Sequence, residues 1–228
     1  MNLQGFTFRG SRLNTHAEGE ILYNLIKENK CKNIVEIGTN AGFNTIYLAY
    51  AAFENSSSSK VYTFDYNRSL IPSIYDNLRD NKLTNVDVIL NDSILVSLNE
   101  HNFILKNADL ILIDECLDKN RLFELWNIIN NNISDKCIVV LHDVQCDVAE
   151  EMQSKTLFEL WQKKKYNREI KLIETNDEGG YSNGFGVLYS KKVETVAEHK
   201  FDDIKIVEDI QTESKEKVET IEIHTIIE

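Results

Sequence analysis

The run Asn33-Ile34-Val35-Glu36-Ile37-Gly38-Thr39-Asn40-Ala41-Gly42-Phe43-Asn44-Thr45 decides how the chain is read. Ile34 to Ile37 is a short apolar run, predicted to be a buried strand. It breaks at Gly38 and Gly42 and resumes as the amphipathic segment Thr45-Ile46-Tyr47-Leu48-Ala49. Strand, glycine turn and helix bring a nucleotide close to bare backbone at a helix N-terminus. Gly38 has access to backbone angles closed to other residues, and Gly42 offers no Cβ to an approaching ligand. Loops of this spacing also occur without any ligand, so the turn alone leaves both readings open.

The next strand narrows the choice. Lys60-Val61-Tyr62-Thr63-Phe64-Asp65 alternates, is β-rich, and ends in a carboxylate. An acid about 20 residues beyond the turn is where a doubly wound fold grips ribose hydroxyls. A strand-end Asp that caps the following helix is the alternative.

Glu36 to Thr45 resembles the first motif of class I S-adenosylmethionine (SAM)-dependent methyltransferases. It is similar in particular to O-methyltransferases of the catechol type and of the sugar- and antibiotic-modifying group, which read E-I-G-T-x-x-G-[YF]-S-T. Asn44 stands where that pattern has Ser. A dehydrogenase would prefer G-x-G-x-x-G, and Asn40 disfavours a nicotinamide cofactor. The resemblance runs from about Gly19 to Tyr189. It implies a Rossmann-like, doubly wound α/β fold of seven strands, mostly parallel, with one antiparallel strand near the C-terminal end and helices on both faces. It also implies SAM held by Glu36, Gly38, Thr39, Asn40, Gly42, Asn44, Asp65, Tyr66, Asp92, Ser93 and Asp114. For Glu36 a satisfied buried carboxylate is the alternative; for Asp92 and Ser93 it is a helix cap.

Composition sets bounds. The 228 residues suit one large domain with an appendage. The net charge of −12 argues against a non-specific grip on nucleic acid. Lys163-Lys164-Lys165 with Arg168 is the one dense basic cluster, read as a solvated helix end. No apolar run is long enough to span a membrane, and Met1 to Gly5 lacks the features of a signal peptide. Cys31, Cys116, Cys137 and Cys146 show no C-x-x-C pairing, which fits reduced thiols in a cytoplasmic protein and disfavours zinc.

Residues 1–18 form an N-terminal arm, either a lid from which Arg9, Arg12 and His16 reach the site or an inert surface segment. The resemblance implies that residues 19–190 form a SAM-dependent methyltransferase domain. Ile21, Leu22, Leu25 and Ile26 place a helix before the first strand. Helices are also expected over about 44–53, 69–81 and 148–165, and along Leu122, Leu125, Trp126, Ile129 and Ile133. Further strands are expected at Val86–Leu90, Leu110–Asp114, Cys137–Leu141, Ile170–Glu174 and Gly184–Tyr189. Alternation of strands and helices argues a parallel sheet with right-handed crossovers. Asn183-Gly184-Phe185-Gly186-Val187 resembles the N-G-[LF]-G-V signature of the sugar and antibiotic enzymes. Residues 191–228, with 11 acids and 6 bases, form an acidic extension. It is either a β-hairpin that extends the sheet or mediates self-association as a homodimer, or a loosely ordered tail.

The chemistry is expected at the carboxyl ends of the strands. Asp114 and Asp143 end neighbouring strands and suit Mg²⁺, which would hold a diol and lower the pKa of the hydroxyl to be methylated. By resemblance they match two metal positions of the catechol-type enzymes; the third, an Asn, is Val144 here. The sugar-modifying group tends to read I-D-G-x-H-x-Y, whereas this chain reads Ile113-Asp114-Glu115-Cys116-Leu117-Asp118-Lys119. Glu115 or Asp118 would then be substitute ligands. His142 is the candidate general base, with Asp143 beside it, because an imidazole accepts a proton near neutrality. A structural His–Asp pair is the alternative. Tyr181 and Phe185 are candidate walls for the acceptor. The expected activity is O-methylation of a small acceptor, a sugar or glycan precursor. A catalytically silent SAM-binding subunit and a nicotinamide-linked oxidoreductase are the rivals.

Overall fold

The computed structural model describes residues 6–9, 15–92, 94–145, 152–164, 166, 168–175 and 183–189. Helix α1 (His16–Asn29) leads into β1 (Asn33–Ile37), α2 (Phe43–Asn55) and β2 (Lys60–Asp65). A short 3-10 turn at Arg68–Leu70 precedes α3 (Ile71–Asp80), followed by β3 (Val86–Leu90), α4 (Ile94–Glu100), α5 (Asn102–Lys106) and β4 (Leu110–Ile113). The series closes with α6 (Lys119–Asn132), β5 (Ile138–His142), α7 (Met152–Lys164), β6 (Ile170–Ile173) and β7 (Phe185–Leu188).

The seven strands lie in the order β3-β2-β1-β4-β5-β7-β6. Strands β1 to β5 pair in parallel, and β7 runs antiparallel between β5 and β6. The expected doubly wound sheet with one reversed strand near its C-terminal end is therefore present. Side-chain alternation splits the core into two layers. Val35, Ile37, Ile111, Ile113, Val139 and Leu141 pack with helices α4 to α7. Ile34, Leu110, Leu112, Ile138 and Val140 pack with α1 and α2. Both faces of the central strands are thus covered, which is why they read as unbroken apolar runs.

Two short helices, α4 and α5, stand where no periodic apolar pattern is present in the sequence. They bury only Ile94, Ser97, Leu98, Ile104 and Leu105, too few turns for a helical stripe to show. Among the described residues no helix is long and apolar enough to cross a membrane. Ser93, Arg12, Tyr181, Cys146, the first turn expected for the 148–165 helix and the extension 191–228 lie outside the described residues.

Candidate functional site

The glycine turn sits where β1 ends between β2 and β4. Gly38 has φ +98° and receives no side chain for a second reason: a Cβ there would lie 1.9 Å from the Asp114 carbonyl oxygen. Its amide donates to the Phe64 carbonyl at 2.9 Å, so the turn departs from the sheet at the level of β2 and β4. Asn40 takes φ 48°, a left-handed conformation that Asn tolerates better than most residues. Gly42, φ +88°, is the N-cap of α2 and has no capping side chain. The amides at this helix start are therefore open to an anion or a polar ligand.

Asp65, at the end of β2, accepts from the Asn40 amide at 2.8 Å and from the Asn67 amide at 2.7 Å. It fixes the glycine turn against the second strand. The capping alternative is not observed: Asn67, not Asp65, is the N-cap of the 3-10 turn that follows. Tyr66, the next residue, is 54% exposed. Asp92 is an exposed strand-end carboxylate with Arg68 Nε at 3.4 Å.

Glu36 is completely buried. Its Oε2 accepts hydroxyls from Thr45 at 2.5 Å and Thr63 at 2.6 Å, and the Thr39 hydroxyl lies 2.5 Å from that of Thr63. Burial, with Asp114 and Asp65 nearby, pushes its carboxyl up to about 8 despite the threonine bonds. Its Oε1 has no partner. Asn44, at the start of α2, donates from Nδ2 to Asp114 Oδ2 at 2.7 Å, while its own Oδ1 is buried without a partner. Two buried side-chain oxygens at the two ends of the turn thus have no partner within the protein, a costly arrangement unless a ligand pairs with them. An α-ammonium group would donate to Asn44 Oδ1 and to an ionised Glu36, so the residues present fit SAM. Glu115, held by burial and by Asp65 and Asp114 at about 7, adds further acid to this end of the sheet.

The second cluster lies one strand further on. His142 Nδ1 is 2.8 Å from Asp114 Oδ1 and 3.3 Å from Asp143 Oδ1. Its Nε2 is 3.2 Å from Glu18 Oε1. Burial alone would lower the imidazole pKa, but Asp114, Glu18 and Asp143 hold it well above the ordinary value. With 2% exposure and both ring nitrogens facing carboxylates, His142 has no free lone pair to offer an acceptor hydroxyl, and the general-base role does not fit it. Asp143 has φ 59° and is half-buried, so its carboxylate turns back toward the ring.

Glu18 was invisible as a site residue. It is buried at the third position of α1, and its Oε2 takes the Thr15 amide at 2.7 Å in a capping box. Burial would raise its carboxyl, but bonds from His142 and Thr15 bring it below the usual carboxylate range. Its bond to a histidine 124 residues away is written in no local pattern.

Asp118 is committed elsewhere. It caps α6 by accepting the amides of Asn120 and Arg121, which removes it as a substitute ligand. Val144, also expected to lack a donor, is buried in the apolar core. Arg9 pairs with Asp80 on α3 at 2.7 Å, and His16 Nδ1 lies 2.5 Å from the Tyr47 hydroxyl, so neither side chain is presented to the strand ends. Phe185 is fully buried and lies tilted against the His142 ring, centroids 4.7 Å apart, a backing role for that histidine and not an acceptor wall.

The seven-stranded sheet with its reversed β7 is a Rossmann-like fold of the kind found in class I, SAM-dependent methyltransferases. Residues 35–144, which hold most of β1, all of β2 to β5, and Asp114, His142 and Asp143 but not Glu18, match the family model described as a methyltransferase domain. No curated protein sequence matches the chain. Among solved structures it is similar to the O-methyltransferase TomG from Streptomyces achromogenes, involved in tomaymycin synthesis and solved with SAM. That pair shares 19% identity over 78% of this chain and 81% of that one, with a TM-score of 0.64. The O-methyltransferase from Bacillus cereus, solved with S-adenosylhomocysteine, is also 19% identical over 79% and 84%, TM-score 0.66. The Podospora anserina methyltransferase PaMTH1, likewise solved with S-adenosylhomocysteine, is 14% identical over 78% and 80%, TM-score 0.58.

Proposed function

We propose that this chain is a SAM-dependent O-methyltransferase acting on a hydroxyl of a small acceptor, with a sugar or glycan precursor as the acceptor class. The observation that carries the reading is the pair of unpartnered buried side-chain oxygens, Glu36 Oε1 and Asn44 Oδ1, with an uncapped helix start and a strand-end acid in the same turn. Glu36 and Asn44 would take the amino-acid end of SAM, the turn from Gly38 to Gly42 with Thr39 and Asn40 its body, and Asp65 the ribose. Tyr66 and Asp92 stand at the strand ends where the base would lie, and Ser93, next in sequence, is the further candidate carried over from the sequence. The sulfonium supplies an already activated methyl group. What remains for the protein is alignment of the attack and exclusion of water.

Asp114 and Asp143 follow the neighbouring strands β4 and β5, beyond which the acceptor would lie. A divalent cation held there would lower the pKa of the acceptor hydroxyl, which removes the need for a side-chain base. The O-methyltransferases among the structural neighbours support the choice of oxygen as acceptor. A second reading, a SAM-binding subunit without turnover, is supported by the enclosure of His142. Turnover on any hydroxylated acceptor would end it.

The test is calorimetric titration with SAM, S-adenosylhomocysteine and NAD, repeated on Asp65→Ala. Micromolar binding of the first two, weakened at least about tenfold in the variant by loss of a ribose hydrogen-bond pair, is expected. Absence of binding by either, or competition by NAD, overturns the reading.

A further inference from the structure

We propose that Glu18 is a positioning residue for the methyl donor: through His142 and Asp114 it holds the Asn44 side-chain amide in one direction, with Oδ1 offered to the ammonium at the amino-acid end of SAM. The inference rests on the proposed function for the identity of the ligand. It extends that site to α1, which lies outside the residues that match the family model.

Capping alone does not account for Glu18. A capping-box acid needs one oxygen for the N-cap amide, and Glu18 Oε2 accepts the Thr15 amide at 2.7 Å. Its other oxygen, Oε1, turns inward on a side chain that is 1% exposed. There it meets His142 Nε2 at 3.2 Å and the Thr175 hydroxyl at 3.3 Å. Thr175 in turn accepts the Gly184 amide at 2.8 Å, so the approach to β7 braces the acid as well. A buried carboxylate is costly unless it is paired, and the partner of this second oxygen is the histidine.

From there polarity passes link by link to the glycine turn. An ionised carboxylate accepts and does not donate. His142 lies between Glu18 at Nε2 and Asp114 Oδ1, 2.8 Å from Nδ1, with Phe185 tilted against its ring. The imidazole is thus held on two edges and one face. Asp114 Oδ2 accepts from Asn44 Nδ2 at 2.7 Å. A side-chain amide has a donating end and an accepting end, and its neighbours decide which way round it lies. Asp114 claims the donating end. The accepting end, Asn44 Oδ1, is left buried without a partner in the protein, ready for a cationic donor.

Without Glu18 the ring loses its bond at Nε2 and is free to turn about its Cβ–Cγ bond, away from Asp114. The Asp114 carboxylate then has one bond fewer to fix its plane, and the Asn44 amide is no longer held to one direction. The nucleoside half of the site is built from other contacts. Asp65 is tied to the Asn40 and Asn67 amides and takes no part in this chain of bonds. Loss of Glu18 is therefore felt at the amino-acid end of the ligand alone.

The test is calorimetric titration of the full chain, with chelator present, by S-adenosylhomocysteine and by 5′-methylthioadenosine, the same nucleoside thioether without the amino-acid end. Glu18→Ala should weaken S-adenosylhomocysteine about tenfold and leave 5′-methylthioadenosine within about twofold of wild type. Glu18→Gln should bind S-adenosylhomocysteine within about threefold of wild type, because its carbonyl keeps the Thr15 amide, its NH₂ donates to Nε2, and the ring still donates from Nδ1. In an Asn44→Ala background Glu18→Ala should have no further effect, since both act on one contact. Equal weakening of both ligands would mean general loosening of the domain. Equal loss in Glu18→Gln and Glu18→Ala would mean a charge effect, and additivity in the double variant would mean independent roles. Any of the three overturns the proposal, as does unchanged binding by Glu18→Ala. If circular dichroism shows Glu18→Ala unfolded, Glu18→Asp takes its place with the same expected outcome, being one methylene too short to reach both Thr15 and the ring. Wild-type protein that binds neither SAM nor S-adenosylhomocysteine sinks the methyltransferase reading and this inference with it. Wild-type binding that Glu18→Ala leaves unchanged sinks this inference alone.

Discussion

Glu36 illustrates how a buried acid and a ligand site can be the same object. Two threonine hydroxyls converge on one of its oxygens and none on the other. Its carboxyl is raised from 4.5 to about 8, chiefly by burial. In the window between those values the folded chain holds a proton that the unfolded chain releases. Its contribution to stability is therefore full below the lower value and is lost as pH rises toward the upper. Glu36→Gln keeps an acceptor for Thr45 and Thr63 and cannot titrate. Denaturant unfolding from pH 5 to 8 should show wild type losing stability relative to this variant by on the order of 1 kcal/mol per pH unit. Parallel curves for the two proteins would show that Glu36 is ionised in the folded state.

At the scale of elements, the N-terminal segment is held by one helix as though by a neighbouring strand. Asn81 accepts the Thr7 amide at 3.0 Å and returns a bond to its carbonyl at 2.7 Å. Asn77, one turn earlier on α3, does the same for Arg9, at 2.7 and 2.9 Å. Alternate residues Phe6 and Phe8 meet Tyr47, Tyr50 and Phe43 of α2. Asn77 Nδ2 also reaches the Ala41 carbonyl at 2.8 Å, so the strap and the glycine turn share one side chain. Asn77→Ala strands three backbone groups and should cost about 2 kcal/mol. Hydrogen exchange at Arg9 should accelerate in the same variant, with SAM binding weakened through the loosened turn; unchanged exchange would show that the segment is held by its aromatic residues alone. This is the kind of contact a sequence hides. Strand, turn and helix around Gly38 were legible because each is written in neighbouring residues: apolar run, glycines, periodic stripe. The acids at strand ends were legible because topology places them there. Asn77, Glu18 and the enclosure of His142 depend on groups 28 to 124 residues apart, and no local pattern records them. Helices α4 and α5 were missed for the opposite reason, being too short to repeat.

Across the whole molecule, the two acidic clusters tie together elements that the sheet alone would leave only adjacent. Asn44 of α2 bonds to Asp114 after β4, Asp114 faces His142 at the end of β5, and His142 faces Glu18 of α1. Thr175, beyond β6, completes the chain by facing Glu18 and accepting the Gly184 amide at 2.8 Å. A ligand that supplies donors to Glu36 and Asn44 at one end of this chain is thus bound to the folded state and has no counterpart in the unfolded one. Its free energy of binding adds directly to stability. At a SAM concentration one hundred times its dissociation constant the gain is about 2.7 kcal/mol, which for a chain of this length raises the melting temperature by roughly 5–10 °C. The same concentration of NAD should leave the melting temperature where it is, because Asn40 removes the glycine a dinucleotide turn requires. Thermal unfolding followed by circular dichroism decides the matter. A shift with SAM that persists undiminished in Asp65→Ala would place the cofactor away from the glycine turn, and a shift with NAD would return the chain to the dinucleotide-binding class.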